Sequence, residues 1–486
     1  MASADANPEK IALAILGLSR AERWSYGRLA AAIRGVAGAL QAAGYPPGSC
    51  VVLRLGNVVG FPIAYLGAVA ADLVPVPISA QLTAAEVQTV LTQTTPALVV
   101  ADPALPLPAT DLPTVTPQDL AAWYGHAPAD PVPGSPNRPG YIVYTSGTSG
   151  QPRGVVHAHR AVWARRMMWD DWYGLTAEDR LLHAGAFNWT YTLGTGLLDP
   201  WAAGATALIP AQGVRSDQLG LLLRRHDATL FAAAPGVYRQ LLARAPDLHL
   251  PKLRHGLSAG EKLPDAVRAA WERATSTPIF EAFGMSECST FISASPHRPA
   301  PEGTLGYAQT GRHIAVLDDA GEPVARGTLG TLAIHRTDPG LMLRYAGAPE
   351  ETAARFAGDW FLTGDRVAMR ADGAIEYHGR NDDMMNAGGF RVSPLEVEAA
   401  LATFDGVAEV AAAEVTVKAD TCVIAAFYVS SCELDGDALS QHMSERLARY
   451  KCPRLFIRVD ALPKSANGKL LRRQLRETYE AAHGQT

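Results

Sequence analysis

Apolar positions along the first 140 residues alternate between helical and strand spacing. The segments with helical spacing are residues 26–43, 57–71 and 84–94. The β-rich or extended runs between them are residues 49–55, 73–78 and 97–101. Strands that alternate with helices of this length predict βαβ units around a buried parallel sheet.

The same rhythm returns between residues 180 and 290, which predicts one large α/β unit over roughly the first 380 residues. A Pro-rich stretch at residues 102–139 is expected to be an ordered surface excursion within it. From about residue 383 the pattern changes: residues 407–429 predict short β-branched strands, and residues 437–448 predict a helix.

Composition narrows the function classes. The chain has 486 residues, 48% of them hydrophobic, and a net charge of −5, so no global positive field attracts nucleic acid or an anionic membrane. Five cysteines without paired spacing favour the reduced thiols of a cytoplasmic protein. Prolines and Asp72 interrupt the most apolar stretch, residues 61–79, so no membrane span is expected. Residues 1–10 lack a basic region followed by an apolar one, so no signal peptide is expected.

A Gly- and hydroxyl-rich segment follows a predicted strand at residues 144–154, with the sequence Tyr-Thr-Ser-Gly-Thr-Ser-Gly-Gln-Pro-Arg-Gly. Glycines allow a backbone to turn sharply and point several N–H groups at one anion. Four hydroxyls and the positive charge of Arg153 would add to such a phosphate-binding loop. A Walker A loop is excluded because the Gly-Lys-Ser/Thr ending is missing. The alternative is a flexible linker, which rarely follows a buried strand so closely.

A second segment, residues 280–287, reads Phe-Glu-Ala-Phe-Gly-Met-Ser-Glu. Phe283 is suited to stack on a planar base, Ser286 to contact phosphate, and Glu287 to hold Mg²⁺ through oxygen ligation. Each of these residues alone is equally typical of packing or of a helix cap. Together with the preceding loop they predict a nucleotide–metal site.

Three later segments complete the pattern. Residues 360–365 place Asp365 after a Gly turn, where its carboxylate suits two ribose hydroxyls. Residues 377–398 combine Arg380 with an Asp-Asp pair and a Gly-Gly pair at the composition break, and residues 462–473 place Lys469 after a Gly turn. Residues 441–486 hold ten Lys and Arg against four Asp and Glu, a local net charge of +6. This basic tail is either a solvated helical face or a surface for a polyanionic ligand.

These five segments, in this order, resemble the core motifs of the adenylate-forming superfamily of acyl-CoA synthetases, peptide-synthetase adenylation domains and luciferases. Residues 379–383 (Gly-Arg-Asn-Asp-Asp) and 258–262 (Ser-Ala-Gly-Glu-Lys) are most similar to benzoate and medium-chain acid–CoA ligases. The resemblance implies an α/β fold: a large N-terminal domain of parallel and mixed sheets, residues 1–381, and a small mobile α+β C-terminal domain, residues 382–486. The hinge would be Asp382.

The resemblance also implies a two-step reaction with ATP, Mg²⁺ and coenzyme A. Acid and ATP first give acyl-AMP and pyrophosphate; the C-terminal domain then swings, and the CoA thiolate displaces AMP. The implied catalytic residues are Lys469, Glu287 (the metal ligand), Ser286 and Arg380. The implied ATP-binding residues are Thr145, Ser146, Gly147, Thr148, Ser149, Gly150, Arg153, Gly154, Gly260, Glu261, Lys262, Glu281, Ala282, Phe283, Gly284, Met285, Asp365 and Arg380. The implied CoA path is lined by Gly388, Gly389, Phe390 and Arg391.

Two departures from the family pattern stand out. Arg153 occupies a position that is more often Lys, which keeps the charge but changes the geometry. The run Met384-Met385-Asn386 replaces a commoner Ile-Lys run. Neither departure removes a step of the reaction.

The acyl pocket is expected around Phe187, Asn188, Trp189, Tyr191, Ser258, Ala259 and Gly260. Amino-acid-activating relatives place an Asp where Asn188 falls, and the amide favours a neutral polar group instead. Trp189 and Tyr191 would close the pocket against long chains, unless Trp189 only packs in the core. The predicted substrate is a compact acid: a short branched acid, a 2-hydroxy acid or a benzoate-like acid.

Two other functions stay open at this point. One is a stand-alone adenylation enzyme that loads a carrier-protein phosphopantetheine, and the other is a non-catalytic nucleotide-binding relative. The expected partners are a small carboxylic acid and CoA, without nucleic acid or membrane, and a homodimer is one assembly left open.

Overall fold

The computed structural model describes residues 2–146, 152–244, 248–260, 263–380, 385–387, 390–418, 421–463 and 470–483. The strands, in chain order, are β1 (Ile11–Leu16), β2 (Ala21–Ser25), β3 (Cys50–Arg54), β4 (Val74–Pro77), β5 (Leu98–Ala101), β6 (Thr114–Val115), β7 (Pro139–Ser146), β8 (Pro152–Ala158), β9 (Arg180–His183), β10 (Thr206–Pro210), β11 (Leu230–Ala233), β12 (His255–Ala259), β13 (Ile279–Met285), β14 (Ser289–Ser293), β15 (Tyr307–Ala308), β16 (Ile314–Leu317), β17 (Leu329–His335), β18 (Arg344–Tyr345), β19 (Phe356–Ala357), β20 (Trp360–Met369), β21 (Ile375–Arg380), β22 (Met385–Ala387), β23 (Phe390–Val392), β24 (Glu409–Lys418), β25 (Thr421–Val429) and β26 (Leu455–Arg458).

The α-helices are α1 (Ala2–Ala6), α2 (Tyr26–Ala42), α3 (Gly60–Ala70), α4 (Ala84–Thr94), α5 (Pro117–Trp123), α6 (His159–Ala164), α7 (Asp199–Ala203), α8 (Leu219–Arg225), α9 (Pro235–Arg244), α10 (Asp265–Thr275), α11 (Pro349–Ala354), α12 (Pro394–Leu401), α13 (Gly436–Ser444) and α14 (Arg472–His483). Wider helical turns span Trp169–Tyr173 and Thr192–Leu198, and a tighter one spans Ser216–Gln218.

A nine-stranded sheet forms the centre of the large N-terminal part, in the order β15-β14-β13-β12-β11-β9-β10-β1-β2. Its inner strands, from β1 to β13, are parallel, and β2, β14 and β15 are antiparallel to their neighbours. Successive strand residues point to opposite faces. Leu182 and Phe231 therefore pack with Trp271 on one face, while Leu181 and Leu230 pack with aromatic rings on the other.

Three further sheets surround the central one. β4-β3-β5-β6 is parallel, β16-β17-β20-β19 with β21 is antiparallel, and β18-β8-β7 contains the two ends of the Gly- and hydroxyl-rich segment. The C-terminal part is smaller: β24-β25-β26 and the β22–β23 hairpin pack with α12 and α13 around their own core. The fold is thus α/β with a large N-terminal and a smaller C-terminal domain.

Most of the elements expected from hydrophobic spacing are present. The helix expected at residues 84–94 is α4 with the same bounds, and the strand expected at residues 49–55 is β3. The Pro-rich excursion is ordered and includes α5. In the C-terminal part the expectation of short strands was wrong, because residues 409–429 form two strands of ten and nine residues.

All five cysteines are free thiols. Within the residues that the structure describes, no helix is long and apolar enough to cross a membrane.

Three buried histidines predict that acid destabilises this fold. Burial lowers the pKa of His157 and His255 from 6.5 to about 4, and that of His183 to about 3. Between these values and pH 6.5 the unfolded chain binds more protons than the folded one, so stability is lost as the pH falls through this window. We expect urea-unfolding free energies to decrease from pH 7 to pH 5, by up to about 1.4 kcal/mol per pH unit for each histidine.

In the variant His255→Gln the number of protons taken up on unfolding in this pH window should be smaller by about one, so the free energy of unfolding should depend less steeply on pH. A free energy of unfolding that is constant or rises on acidification would contradict the assignment of these histidines as neutral in the folded state.

Candidate active site

An elongated cavity lies at the ends of β12 and β13 and reaches the C-terminal domain. Its lining includes Thr145 near the end of β7, Met285 at the end of β13, Ser286 directly after it, and Phe390 of β23. The other lining residues are Pro77, Ile78, Ser79, Leu82, Glu86, Val90, Tyr144, Pro152, Asn188, Trp189, Thr190, Tyr191, Ala259, Gly260, Gly284, Ser289, Thr290, Tyr450 and Lys451. Segments far apart in the sequence therefore meet at one site.

The expected phosphate loop connects β7 and β8, which are antiparallel. Thr145 pairs with Arg153 and Ser146 with Pro152, so both ends of the expected loop lie side by side. Gly147, Thr148, Ser149 and Gly150 lie outside the described residues. Gly154 is covered by Ala346, whose N–H donates to its carbonyl. The paired ends of β7 and β8 thus place Thr145 at the cavity.

Arg153 forms an ion pair with Glu351, a residue far away in the sequence. Its Nε lies 2.5 Å from Oε2 of Glu351 in α11, and its guanidinium lies 5.3 Å from the ring centroid of Tyr345. The charge expected at the phosphates is therefore paired with a carboxylate in this arrangement.

Glu287 is a buried carboxylate that follows β13. The hydroxyl of Tyr345 donates to its Oε1 at 2.7 Å, and burial together with this carboxylate raises the pKa of Tyr345, which stays a donor. Mg²⁺ that also binds substrate phosphates commonly takes only one or two carboxylates from the protein. Glu287 fits that role, although the described residues include no group of three or more metal-ligating side chains.

The backbone at Ser286 is held by a hydrogen bond from His157 of β8. Nε2 of His157 lies 2.8 Å from the carbonyl oxygen of Ser286. A carbonyl only accepts, so Nε2 carries the proton, and burial keeps this imidazole neutral by lowering its pKa to about 4. The segment Met285–Glu287 is thereby fixed at both Ser286 and Glu287.

Two rings and one carboxylate define the nucleotide end of the site. The ring of Phe283 lies 5.6 Å from that of Tyr377, and Tyr377 Oη lies 3.4 Å from Oδ1 of the buried Asp365. Arg380 is the cross-strand partner of Asp365, between β20 and β21. A flat base and a ribose diol suit this combination of aromatic faces and acceptor oxygens.

Glu281 and Ala282 support this end from β13. The carboxylate of Glu281 accepts from Leu263 N at 2.9 Å and from Arg268 at 3.1 Å, so it anchors the segment that leads into α10. Ala282 is buried in the core. Gly260 lines the cavity with a φ of 98°, and Glu261 and Lys262 lie outside the described residues.

The expected acyl-pocket residues divide into two groups. Asn188, Trp189, Tyr191, Ala259 and Gly260 line the cavity, whereas Phe187 stacks on Phe61 in the core and Ser258 is buried away from it. The Tyr191 hydroxyl donates to the Leu257 carbonyl at 3.1 Å, and its ring meets Trp189 edge-on. Trp189 is thus a wall of the cavity as well as a packing residue.

Asn57 positions the loop that carries Asn188. Its Nδ2 donates to the Gly185 carbonyl at 2.8 Å, and its Oδ1 accepts from Phe187 N at 3.0 Å. Sequence reasoning missed Asn57 as well as Tyr345 and Tyr377, since a lone Asn or Tyr carries no motif and each contacts a segment distant along the chain.

The C-terminal domain closes the other end of the cavity. Phe390 stacks between Trp189, at 5.6 Å, and Tyr450, at 4.1 Å between ring centroids. Lys451 is buried and reaches across the domains: its Nζ lies 3.0 Å from Glu86 of α4 and 2.6 Å from Glu396 of α12. Arg391 is paired with Asn386 across the β22–β23 hairpin, and Asp382, Gly388, Gly389 and Lys469 lie outside the described residues.

Removing the Tyr345 hydroxyl should weaken metal use selectively. In Tyr345→Phe the Glu287 carboxylate loses its orienting donor, and losing such a supporting partner typically costs about 10- to 100-fold in metal affinity or activity. We expect the Mg²⁺ concentration for half-maximal pyrophosphate release to rise, with full activity regained at high Mg²⁺. Tyr124→Phe, at the half-buried C-terminal end of α5, is the control; an unchanged Mg²⁺ requirement in Tyr345→Phe would contradict this role.

The chain is similar to known proteins over most of its length. The model of the AMP-binding enzyme family matches residues 2–346, and that of the AMP-binding enzyme C-terminal domain matches residues 396–469. The chain is 30% identical to benzoate–CoA ligase of Thauera aromatica over 93% of this chain and 90% of that protein.

Two solved structures cover nearly the whole chain. The ternary product complex of a malonyl-CoA ligase with methylmalonyl-CoA and AMP matches with a TM-score of 0.81 at 25% identity, over 94% of this chain and 97% of that one. ATP-bound MatB from Rhodopseudomonas palustris matches with a TM-score of 0.71 at 26% identity, over 98% of this chain and 97% of that one.

Proposed function

The chain belongs to the AMP-binding enzyme family, and we propose that it is an AMP-forming acid–CoA ligase for a compact acid bearing a neutral polar group. The observation that carries this proposal is the shared cavity, which is bordered by Ser286 at its nucleotide end, by Asn188 at its acyl end and by Phe390 of the C-terminal domain. Such a cavity brings an acid, a nucleotide and a thiol within reach of one another.

In the first half-reaction the acid carboxylate attacks the α-phosphorus of ATP, and pyrophosphate leaves. The rings of Phe283 and Tyr377 would flank the base, and Asp365 would accept hydrogen bonds from the ribose hydroxyls. Bound Mg²⁺ neutralises charge on phosphate oxygens, and Glu287 would hold it. Lys469 would bridge the carboxylate and the phosphate oxygens, because transfer of the adenylyl group, like phosphoryl transfer, depends on positioning and on stabilising developing charge.

In the second half-reaction the CoA thiolate attacks the acyl carbon, and AMP leaves. We assign the hinge between the domains to Asp382, with domains 1–381 and 382–486. The placement of Phe390 against Trp189 supports a domain arrangement suited to this second step. The comparison of folds supports the same arrangement. The TM-score to the CoA product complex is 0.81, and that to the ATP-bound structure is 0.71, although the two sequence identities are nearly equal.

The proposed acid is short or benzoate-like. Trp189 and Tyr191 pack edge-to-face at 5.4 Å and restrict the length of the acyl end, and Asn188 offers an amide and no charge. A short branched acid, a 2-hydroxy acid and a benzoate-like acid all satisfy these limits.

Free CoA is the proposed acceptor, and the cytoplasm is the proposed compartment, because ATP and CoA are both available there. The basic tail at residues 441–486 would suit the phosphates of CoA, and it would equally suit an acidic carrier protein.

Product analysis by mass spectrometry tests these proposals together. The enzyme is incubated with ATP, Mg²⁺, CoA and a mixture of short linear, branched, 2-hydroxy and aromatic acids. A CoA thioester of a compact acid is expected. Acyl-AMP that accumulates without thioester would point to a carrier protein as acceptor, and the absence of both from a folded preparation would point to a non-catalytic nucleotide-binding relative.

A further inference from the structure

A buried ion pair lies between the start of β14 and the helical turn Thr192–Leu198, which follows the expected acyl-pocket residue Tyr191. Arg165 and Asp199 have side chains only 5% and 3% exposed, and they form two hydrogen bonds, Nε to Oδ1 at 2.8 Å and Nη2 to Oδ2 at 2.6 Å. Tyr173 donates to the same carboxylate at 2.7 Å. A Cβ at Gly194 would lie 2.0 Å from Arg165 Cζ, so the glycine leaves room for the guanidinium. The pair is neutral as a whole and is held firmly.

Ser289 connects this pair to the cavity. Nη1 of Arg165 donates to Oγ of Ser289, and Ser289 lines the cavity at the start of β14. A guanidinium has donors only, so Oγ is the acceptor in this bond and the hydroxyl proton must point elsewhere. Among the described residues no hydrogen bond donated by the Ser289 hydroxyl is found, and Ser289 lines the cavity.

The backbone at Ser289 holds an uncommon conformation that keeps the hydroxyl in this place. Its φ is 59°, in the left-handed region that few residues other than glycine adopt. The hairpin closes tightly on it, since a Cβ at Gly284 would lie 2.2 Å from the Ser289 carbonyl oxygen. Such conformations persist where the surrounding structure enforces them, and they are frequent at binding sites.

The neighbouring hydroxyl behaves differently. Thr290 also lines the cavity, but its Oγ1 lies 2.9 Å from the sulfur of Met168, a weak acceptor, which occupies its proton. Two adjacent hydroxyls therefore differ in availability: that of Thr290 donates to Met168, whereas that of Ser289 accepts from Arg165 and keeps its own proton for another acceptor.

We propose that Ser289, oriented by the Arg165–Asp199 pair, donates a hydrogen bond to a neutral acceptor oxygen on the acid, so that the enzyme selects hydroxylated acids over their deoxy counterparts. This inference rests on the proposed ligase activity. The neutral pair behind Ser289 offers no net positive charge, so the recognised group is a hydroxyl and not a second carboxylate. A site built to bond a substrate hydroxyl discriminates strongly against an analogue without it.

The test compares acid pairs that differ by one hydroxyl: 2-hydroxy-2-methylpropanoate with 2,2-dimethylpropanoate, and 3-hydroxybenzoate with benzoate. Wild-type enzyme should show a higher kcat/KM for the hydroxy acid in at least one pair. In Ser289→Ala this value should fall by about 10- to 100-fold, while that for the deoxy partner changes little. Thr290→Val, which removes the hydroxyl next to it, should leave the ratio unchanged.

Ser289→Gly separates recognition from folding, because glycine adopts the left-handed backbone without strain and also lacks the hydroxyl. It should lose the same selectivity as Ser289→Ala. Equal losses for hydroxy and deoxy acids, or a wild-type preference for the deoxy acids, would overturn the role of Ser289. If folded wild-type enzyme formed neither acyl-AMP nor thioester from any acid, the ligase proposal itself would fail.

Discussion

A Lys469→Ala variant is expected to lose acyl-AMP formation while it still converts supplied acyl-AMP and CoA to the thioester. The lysine side chain would bridge the acid carboxylate and the phosphoryl oxygens only while the nucleotide is attacked. Removing one group aimed at developing charge typically costs about 100- to 1,000-fold in rate. Pyrophosphate release measures the first half-reaction, and thioester formation from synthetic acyl-AMP measures the second.

Lys464 provides the matched control for this experiment. It precedes Lys469 by five positions in the same segment and carries the same charge. Lys464→Ala should leave both half-reactions largely intact. A similar loss of both half-reactions in Lys469→Ala would contradict a lysine that acts in one domain arrangement only.

A Glu86→Gln variant should impair the opposite half-reaction. Glu86 accepts from Lys451 Nζ at 3.0 Å and from Ala448 N at 3.3 Å, so α4 of the large domain meets the C-terminal domain through one carboxylate. Burial alone would lower the pKa of Lys451, but Tyr450, Glu396 and Glu86 outweigh it, so the pKa is raised and the lysine stays charged.

The substitution weakens this contact without removing the helix cap. Oε2 of Glu86 accepts from Thr83 N at 2.9 Å, and the glutamine amide retains an oxygen for that bond. The amide then faces Lys451 without a negative charge, and a buried charge that loses a partner is destabilising. We expect thioester formation from supplied acyl-AMP to slow by about 10- to 100-fold, because this domain arrangement becomes less populated.

Asp119 offers the control for Glu86. It forms the same kind of capping box with Thr116 at the start of α5, in the large domain. Asp119→Asn should leave both half-reactions unchanged. If Glu86→Gln slowed pyrophosphate release as much as thioester formation, the Lys451 contact would not be specific to the second step.

The sequence was most informative where one segment forms its own structure. The amphipathic helix at residues 84–94 begins at a Thr83–Glu86 capping box, and both ends of α4 agree with the expectation. The alternation of strands and helices likewise predicted the parallel sheets. The C-terminal strands were expected to be short because the sequence does not show which strand pairs with which. In the structure β24 and β25 pair with each other along their whole length, and this antiparallel pairing makes both strands long.

The candidate site was predictable in its motifs and not in its supporting contacts. Thr145, Met285 and Ser286 meet at one cavity, as expected for residues in ordered motifs. The hydrogen bond from Asn57 to Gly185 spans 128 positions, and that from Tyr345 to Glu287 spans 58. Such pairs arise from tertiary packing, which leaves no local spacing to recognise. The ion pair of Arg153 with Glu351 was hidden for the same reason.

The measurement that tests the central claim most directly follows oxygen from the acid into AMP. The acid is labelled with the heavy oxygen isotope in its carboxylate and incubated with ATP, Mg²⁺ and CoA. If the carboxylate attacks the α-phosphorus and AMP is then displaced from the acyl carbon, one labelled oxygen appears in AMP and one stays in the thioester. Unlabelled AMP, or label found in inorganic phosphate together with ADP, would contradict an acyl-AMP intermediate and with it the proposed function.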